Sequence, residues 1–174
     1  WEDHFPAGLS YEDGVMVRRF PVDFPRSLFF FHRIARIVYE EKLRPRLTPE
    51  LEQRFLREQG PWSSELFRHL AAEPERVWLF CGIAYAPTCL GLPKVRGARL
   101  LAPVIDEDPR LKFAAVRAAL AASDGLLYRN ENEKKLLAAT VSSNVPGVIC
   151  PTETSALAAA LADLLTSAAG AASA

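Results

Sequence analysis

Short apolar runs recur along the chain, and each is followed by a stretch whose apolar residues fall at helical spacing. Val77 to Cys81 is nearly continuous in apolar residues, the pattern of a strand covered on both faces in a parallel sheet. Arg99 to Ile105 is a second such run, Leu126 to Tyr128 a third, and Gly147 to Cys150 a last short one. Between the second and third, the sequence predicts a long Ala-rich helix from Pro109 to about Ser123. Asp108 would be its N-cap, Pro109 its first residue, and Gly125 would close it. Asn130-Glu131-Asn132-Glu133 opens the next helix, with an acceptor followed three residues later by Glu. Strand-then-helix repetition predicts an α/β fold: a Rossmann-like three-layer domain with a mostly parallel sheet.

The segments before and after carry other signals. Tyr11 to Val22 holds Asp13-Gly14 and then Val15, Val17 and Phe20, which reads as a turn feeding a strand. Pro25 breaks the chain, and Arg26 to Lys42 reads as an amphipathic helix with Phe30, Ile34, Ile37 and Val38 at helical spacing. A second helix starts at Thr48, a good N-cap, and runs to about Glu58, where Gly60-Pro61 stops it. A third follows Ser63 through Leu66, Phe67 and Leu70. From Glu153 onward the only charges are Glu153 and Asp163, and Leu157, Leu161, Leu164 and Leu165 form a helical stripe. Thr166 to Ala174 lacks that pattern and is predicted to fray. The expected organisation is one domain over 1–150, followed by an Ala-rich helix and tail over 151–174.

Length and composition narrow the classes. At 174 residues and 19.3 kDa, one domain with one core is expected. Lys plus Arg and Asp plus Glu are both 21, so the net charge is zero, which argues against a nucleic-acid partner. No apolar run approaches a membrane span; the densest is Leu28 to Phe31. Cys81, Cys89 and Cys150 form no CxxC pair and fit reduced, buried thiols in the cytoplasm. His4, His32 and His69 are scattered, so no metal site is expected. The chain opens on Trp1 with no initiator Met and no signal-peptide pattern, from which we expect that the start of a longer reading frame is absent.

Three stretches, read together, resemble the N-terminal, acceptor-side domain of bacterial GT-B glycosyltransferases of family 4, which build cell-surface glycans. The first is Asp13-Gly14-Val15-Met16-Val17-Arg18-Arg19-Phe20-Pro21, with Trp1, Phe5, Pro6 and Gly8 fitting the segment before it. The second is Gln59-Gly60-Pro61-Trp62-Ser63, followed beyond the apolar strand by Tyr85-Ala86-Pro87-Thr88 and Gly91-Leu92-Pro93. The third is Pro103 to Pro109, then Gly125-Leu126-Leu127-Tyr128 with Glu131 and Glu133. The resemblance covers about residues 1 to 150 and implies a single half of a GT-B architecture. It further implies metal-independent, retaining transfer from a nucleotide-sugar donor substrate, with no other cofactor, to a glycan or lipid-linked acceptor. The departures matter too. The family's opening strand and Gly-rich loop are not present, and no room for a donor-binding domain remains after Val145. Thr154 to Leu165 resembles the helix that often ends such enzymes. Asp106-Glu107-Asp108-Pro109 stands where similar sequences have His-Asp-Glu before a proline.

In an open parallel sheet, ligands sit beyond the carboxyl ends of the strands, where the loops diverge. Asp106, Glu107 and Asp108 fall at that edge. Close carboxylates raise one another's pKa, so Asp106 and Glu107 are candidate catalytic proton acceptors, with Asp108 an anchor for acceptor hydroxyls. The structural alternative makes Asp108 a helix N-cap and the other two a solvated turn. Tyr85 can stack on a sugar face and Thr88 can hydrogen-bond a hydroxyl; the same segment also reads as a proline-fixed turn. Gln59 and Gly60 would let backbone approach the acceptor, although Gly60 is equally a helix stop. Arg129 could meet a nucleotide or lipid phosphate. Arg26 to Lys42 pairs phenylalanines with Arg33, Arg36 and Lys42. That combination suits peripheral contact with the inner face of an anionic membrane, or simply core packing with Glu40 and Glu41 diluting the charge. Tyr85, Asp106 and Arg129 are expected to share one hollow that faces a donor-binding domain or chain. The function implied is the acceptor-side part of a glycosyltransferase, inactive alone. The alternative is a non-catalytic or degenerate module pairing with a separate donor-binding chain. Another nucleotide-binding Rossmann-like domain is disfavoured, because no GxGxxG or GxxxxGK[ST] follows any strand.

Overall fold

A computed structural model describes residues 4–73, 76–140, 145–150 and 154–171. Trp1 and Glu153 lie outside the described residues. Strands β1 (Gly8–Glu12) and β2 (Val15–Arg19) form an antiparallel hairpin in register Glu12↔Val15. The expected single strand after the turn is thus two. Asp13 and Gly14 both take positive φ, 50° and 80°, the geometry of a two-residue hairpin turn, so Asp13-Gly14 joins strands on both sides.

Helix α1 (Leu28–Tyr39) is shorter than the predicted Arg26 to Lys42, and α2 (Pro49–Gln59) and α3 (Ser64–Ala72) follow it. The expected cap forms at Thr48, whose Oγ1 accepts the Leu51 amide at 3.3 Å, and Ser63 caps α3 in the same way, its Oγ accepting the Leu66 amide at 3.2 Å. Then come β3 (Arg76–Cys81), α4 (Ala86–Gly91), β4 (Gly97–Ala102), α5 (Ala114–Ala122), β5 (Gly125–Tyr128), α6 (Glu131–Thr140), β6 (Gly147–Ile149) and α7 (Thr154–Ala171). The four later strands form one parallel sheet in the order β3-β4-β5-β6, with Leu79↔Leu100, Leu101↔Leu126 and Leu127↔Val148 in register.

Alternation along the strands makes the layers. Phe80, Leu101, Leu126 and Tyr128 face the core shared with α1, α2, α4, α5 and α6, where Phe55 and Phe113 are fully buried with ring centroids 5.7 Å apart. Leu100, Leu127 and Val148 face the opposite way and meet Leu157, Leu161, Leu164 and Leu165 of α7, the predicted leucine stripe. The chain is therefore α/β, with helices on both faces of a parallel sheet. Edge strand β3 extends past that cover: Val77 and Leu79, on the α7 side, are 57% and 51% exposed.

Four boundaries besides that of α1 depart from expectation. The long helix predicted from Pro109 divides into a 3-10 turn (Pro109–Lys112) and α5, because Phe113 is extended (ψ 137°) and buried while Glu52 Oε2 accepts the Ala114 amide at 2.8 Å. β4 occupies Gly97–Ala102 rather than Arg99 to Ile105, pairing from its first residue with Arg76 and ending before Pro103. α4 sits in a segment read as a turn; Pro87 lies in its first turn, where a missing N–H costs nothing. α7 continues to Ala171, past the tail predicted from Thr166, since alanine favours helix without any stripe. Among the described residues no helix is long and apolar enough to cross a membrane.

Candidate functional site

Three loops leave the carboxyl ends of β3, β4 and β5 at one rim of the sheet. After β3, the amides of Gly82 and Ile83 donate to the carbonyls of Ala102 (2.9 Å) and Pro103 (2.8 Å), carrying the ladder beyond the strands. Gly82 has φ +80°, a conformation that favours glycine, and a Cβ there would stand 3.2 Å from Cδ2 of Tyr85, so the ring would have to shift slightly. Tyr85 precedes α4 and is 42% exposed. Thr88 is buried, and its hydroxyl donates to the Cys81 carbonyl at 3.4 Å. Gln59 is buried as well; its Nε2 donates to the Ala84 carbonyl at 3.4 Å, while its backbone carbonyl accepts from Arg26 Nη2 at 2.6 Å. Gly60, with φ +61°, ends α2.

After β4, Val104 adopts φ +48°, a region that strains a β-branched residue. The three carboxylates that follow part company. The Asp106 side chain is 91% exposed and pairs with Nη2 of Arg129 at 2.8 Å. Asp108 turns to Arg110, accepting from its amide and Nε at 2.8 Å and its Nη2 at 2.7 Å. Burial raises the Asp108 carboxyl, but the bonds and charge of Arg110 outweigh it and hold the pKa below the ordinary value. Glu107 is exposed.

After β5, Arg129 is gripped from several sides. Its Nη2 also reaches the Ile105 carbonyl at 2.9 Å, its Nε meets Glu133 Oε1 at 3.2 Å, and its amide donates to Glu133 Oε2 at 2.7 Å. Glu133 is buried, and its Oε1 further accepts the Ile105 amide at 2.7 Å. The bond to Asp106 raises the guanidinium pKa against slight desolvation. Asn130 Oδ1 caps the Glu133 amide at 2.9 Å, the acceptor half of the expected capping pattern. The Glu133 carboxylate ties two loops together instead of returning to the cap.

Two neighbouring clusters thus occupy the rim. Asp106 and Arg129 meet in one, without the Tyr85 expected to share their hollow. Tyr85 belongs to the other, with Asp108, Arg110 and Tyr39: burial lifts the Tyr39 pKa, opposed by the Arg110 charge and assisted by Asp108 and Tyr85. Cys89 lies near Arg110, its thiol donating to the Ile83 carbonyl at 2.6 Å and pushed up to about 12 by burial. The sequence missed Glu133 as the tie and Arg110 as the partner of Asp108; the Arg129–Glu133 spacing of one helical turn was the available signal. Only Cys89 meets the expectation of buried thiols, since Cys81 is exposed and Cys150 intermediate.

Elsewhere, a groove of about 1080 Å³ runs among α2, α3, α4 and α5, with Arg54, Arg57, Trp62, Phe67 and Lys94 in its walls. None of the sequence-predicted site residues lines it. Among the described residues no three His, Cys, Asp or Glu side chains converge as metal ligands. Comparison with models of known families, with curated proteins and with solved structures finds no match for the chain.

Proposed function

We propose that this chain is the acceptor-side domain of a family 4-like GT-B glycosyltransferase, binding a glycan or lipid-linked sugar at the rim of its parallel sheet. A nucleotide-sugar donor would be held by a separate domain or chain. The observation that carries the reading is the pairing of exposed Asp106 with Arg129, itself fixed by buried Glu133. A carboxylate held in one orientation, at a rim that also carries exposed Tyr85, suits recognition of sugar hydroxyls, and in this reading it takes a proton from one of them. Arg129 spends its charge on Asp106 and Glu133, so in this reading it positions Asp106, and a phosphate would have to displace that partner. Asp106, Glu107, Asp108 and Glu133 stand against Arg110 and Arg129, and that acidic balance favours neutral glycans over nucleotides. Edge strand β3, with Val77 and Leu79 uncovered, supports a counterpart on that side. On this reading the protein works in the cytoplasm, where nucleotide sugars are made, and the chain alone does not turn over.

Calorimetric titration tests the reading. Oligosaccharides should bind the wild-type chain, Asp106→Ala should weaken them at least ten-fold, and nucleotide sugars should give no heat. Nucleotide-sugar binding without glycan binding would overturn it.

A further inference from the structure

We propose that the first turns of α1 and the adjoining outer face of α2 form a docking surface for an anionic phospholipid bilayer, independently of what binds at the rim. Leu28, Phe29 and Phe30 are consecutive on a helix. Each residue advances the face by about 100°, so one packed face cannot bury all three. They are 62%, 64% and 42% exposed.

Two guanidinium groups lie on these phenylalanines, and a third lies on the aromatic pair Phe24 and Trp62. Arg33 lies over the Phe29 ring at 5.5 Å, Arg54 over Phe30 at 4.6 Å, and Arg57 over Phe24 at 4.7 Å and Trp62 at 5.4 Å. None of these three arginines has a carboxylate partner among the described residues. Their charges rest on aromatic faces and stay open to phosphate oxygens. The acids that dilute this helix in the sequence sit at its other end: Arg36 is neutralised by Glu40 at 2.6 Å, about 16 Å along the axis from Phe29.

Arg54 also joins the patch to the groove, where Arg54, Arg57 and Lys94 stand against Glu50 and Glu58, an excess of one positive charge. Apolar side chains at the tip of a surface ringed by cations match the boundary between lipid headgroups and acyl chains. A second copy is a poor occupant, because pairing this face with itself would bring Arg33, Arg54 and Arg57 against their own counterparts.

Vesicle cosedimentation of the full chain tests this, with phosphatidylcholine alone and with phosphatidylglycerol added. The protein should pellet with the anionic vesicles, less so as salt rises, and remain in solution with the neutral ones. Arg33→Gln and Arg54→Gln should each lower partitioning about five-fold. Phe29→Ser combined with Phe30→Ser should lower it roughly ten-fold or more. Circular dichroism checks that the variants fold, and the charge variants alter exposed side chains only. Absent binding, equal binding to neutral vesicles, or indifference to all variants would overturn the proposal. So would a dimer, seen by light scattering, that Phe29→Ser disperses. Glycan titration of the same samples is read separately, so either reading can fail without the other.

Discussion

The buried carboxylate of Glu133 accepts the Ile105 amide at 2.7 Å, which fastens the loop after β4 to the first turn of α6. The same carboxylate receives the amide and Nε of Arg129, so one side chain satisfies three donors at the rim. Removing it leaves those donors without their acceptor. Glu133→Ala should therefore cost about 2 to 4 kcal/mol in urea unfolding, with Glu133→Gln in between. Stability equal to wild type in both variants would contradict the tie.

Asp108 and Arg110 are coupled through two side-chain bonds, both side chains being 16% exposed. Because the folded carboxyl lies below its ordinary value, the pair contributes fully above about pH 4 and loses its contribution as pH falls through the lower folded value. Asp108→Asn should lose about 1 kcal/mol at neutral pH and show a flatter acid limb in stability against pH. An unchanged acid limb would count against this.

Thiol chemistry separates the cysteines. Cys81 is exposed on β3, whereas Cys89 is buried with its thiol pushed up to about 12. Iodoacetamide at pH 8, followed by mass spectrometry, should label Cys81 in the native protein and Cys89 only after denaturation. Early labelling of Cys89 would show that its cover opens.

Val104 holds φ +48° and is 49% exposed, so the strain is not offset by burial. Val104→Gly should relieve about 1 kcal/mol and raise the melting temperature. If it lowers glycan affinity while raising stability, the strained turn serves to aim Asp106.

Close packing at β6 gives a sharper test of the sheet register. A Cβ on Gly147 would stand 2.5 Å from Cε2 of Tyr128 and 3.1 Å from the Leu126 carbonyl. Gly147→Ala should cost about 1 to 3 kcal/mol of stability by thermal unfolding. A neutral effect would place β6 elsewhere.

The sheet was legible because its strands are apolar on both faces and its helices carry local caps at Thr48, Ser63 and Asn130. What escaped depends on partners far along the chain. The break at Phe113 follows from its burial against Phe55 and the Glu52 cap on Ala114, neither visible in residues 109–123 alone. In the acidic run at residues 106–108, Asp108 forms the N-cap that its structural alternative offered, accepting the Arg110 amide. Asp106 instead pairs with Arg129, which arrives on the loop after β5, a partner that residues 106–108 alone do not disclose. Gln59 and Thr88 were chosen for their hydrogen-bonding chemistry, and the fold spends that chemistry on the Ala84 and Cys81 carbonyls. Tail propensity was underestimated, since α7 needs no apolar stripe to extend through alanines to Ala171.

The central claim is that an acceptor glycan binds at the loops leaving β3, β4 and β5. Amide chemical-shift mapping during oligosaccharide titration locates the contact directly. The account predicts shifts concentrated at Tyr85, Asp106, Glu107 and Arg129, abolished by Asp106→Ala. Shifts confined to the groove residues Arg54, Trp62 and Lys94, with the rim silent, would contradict it.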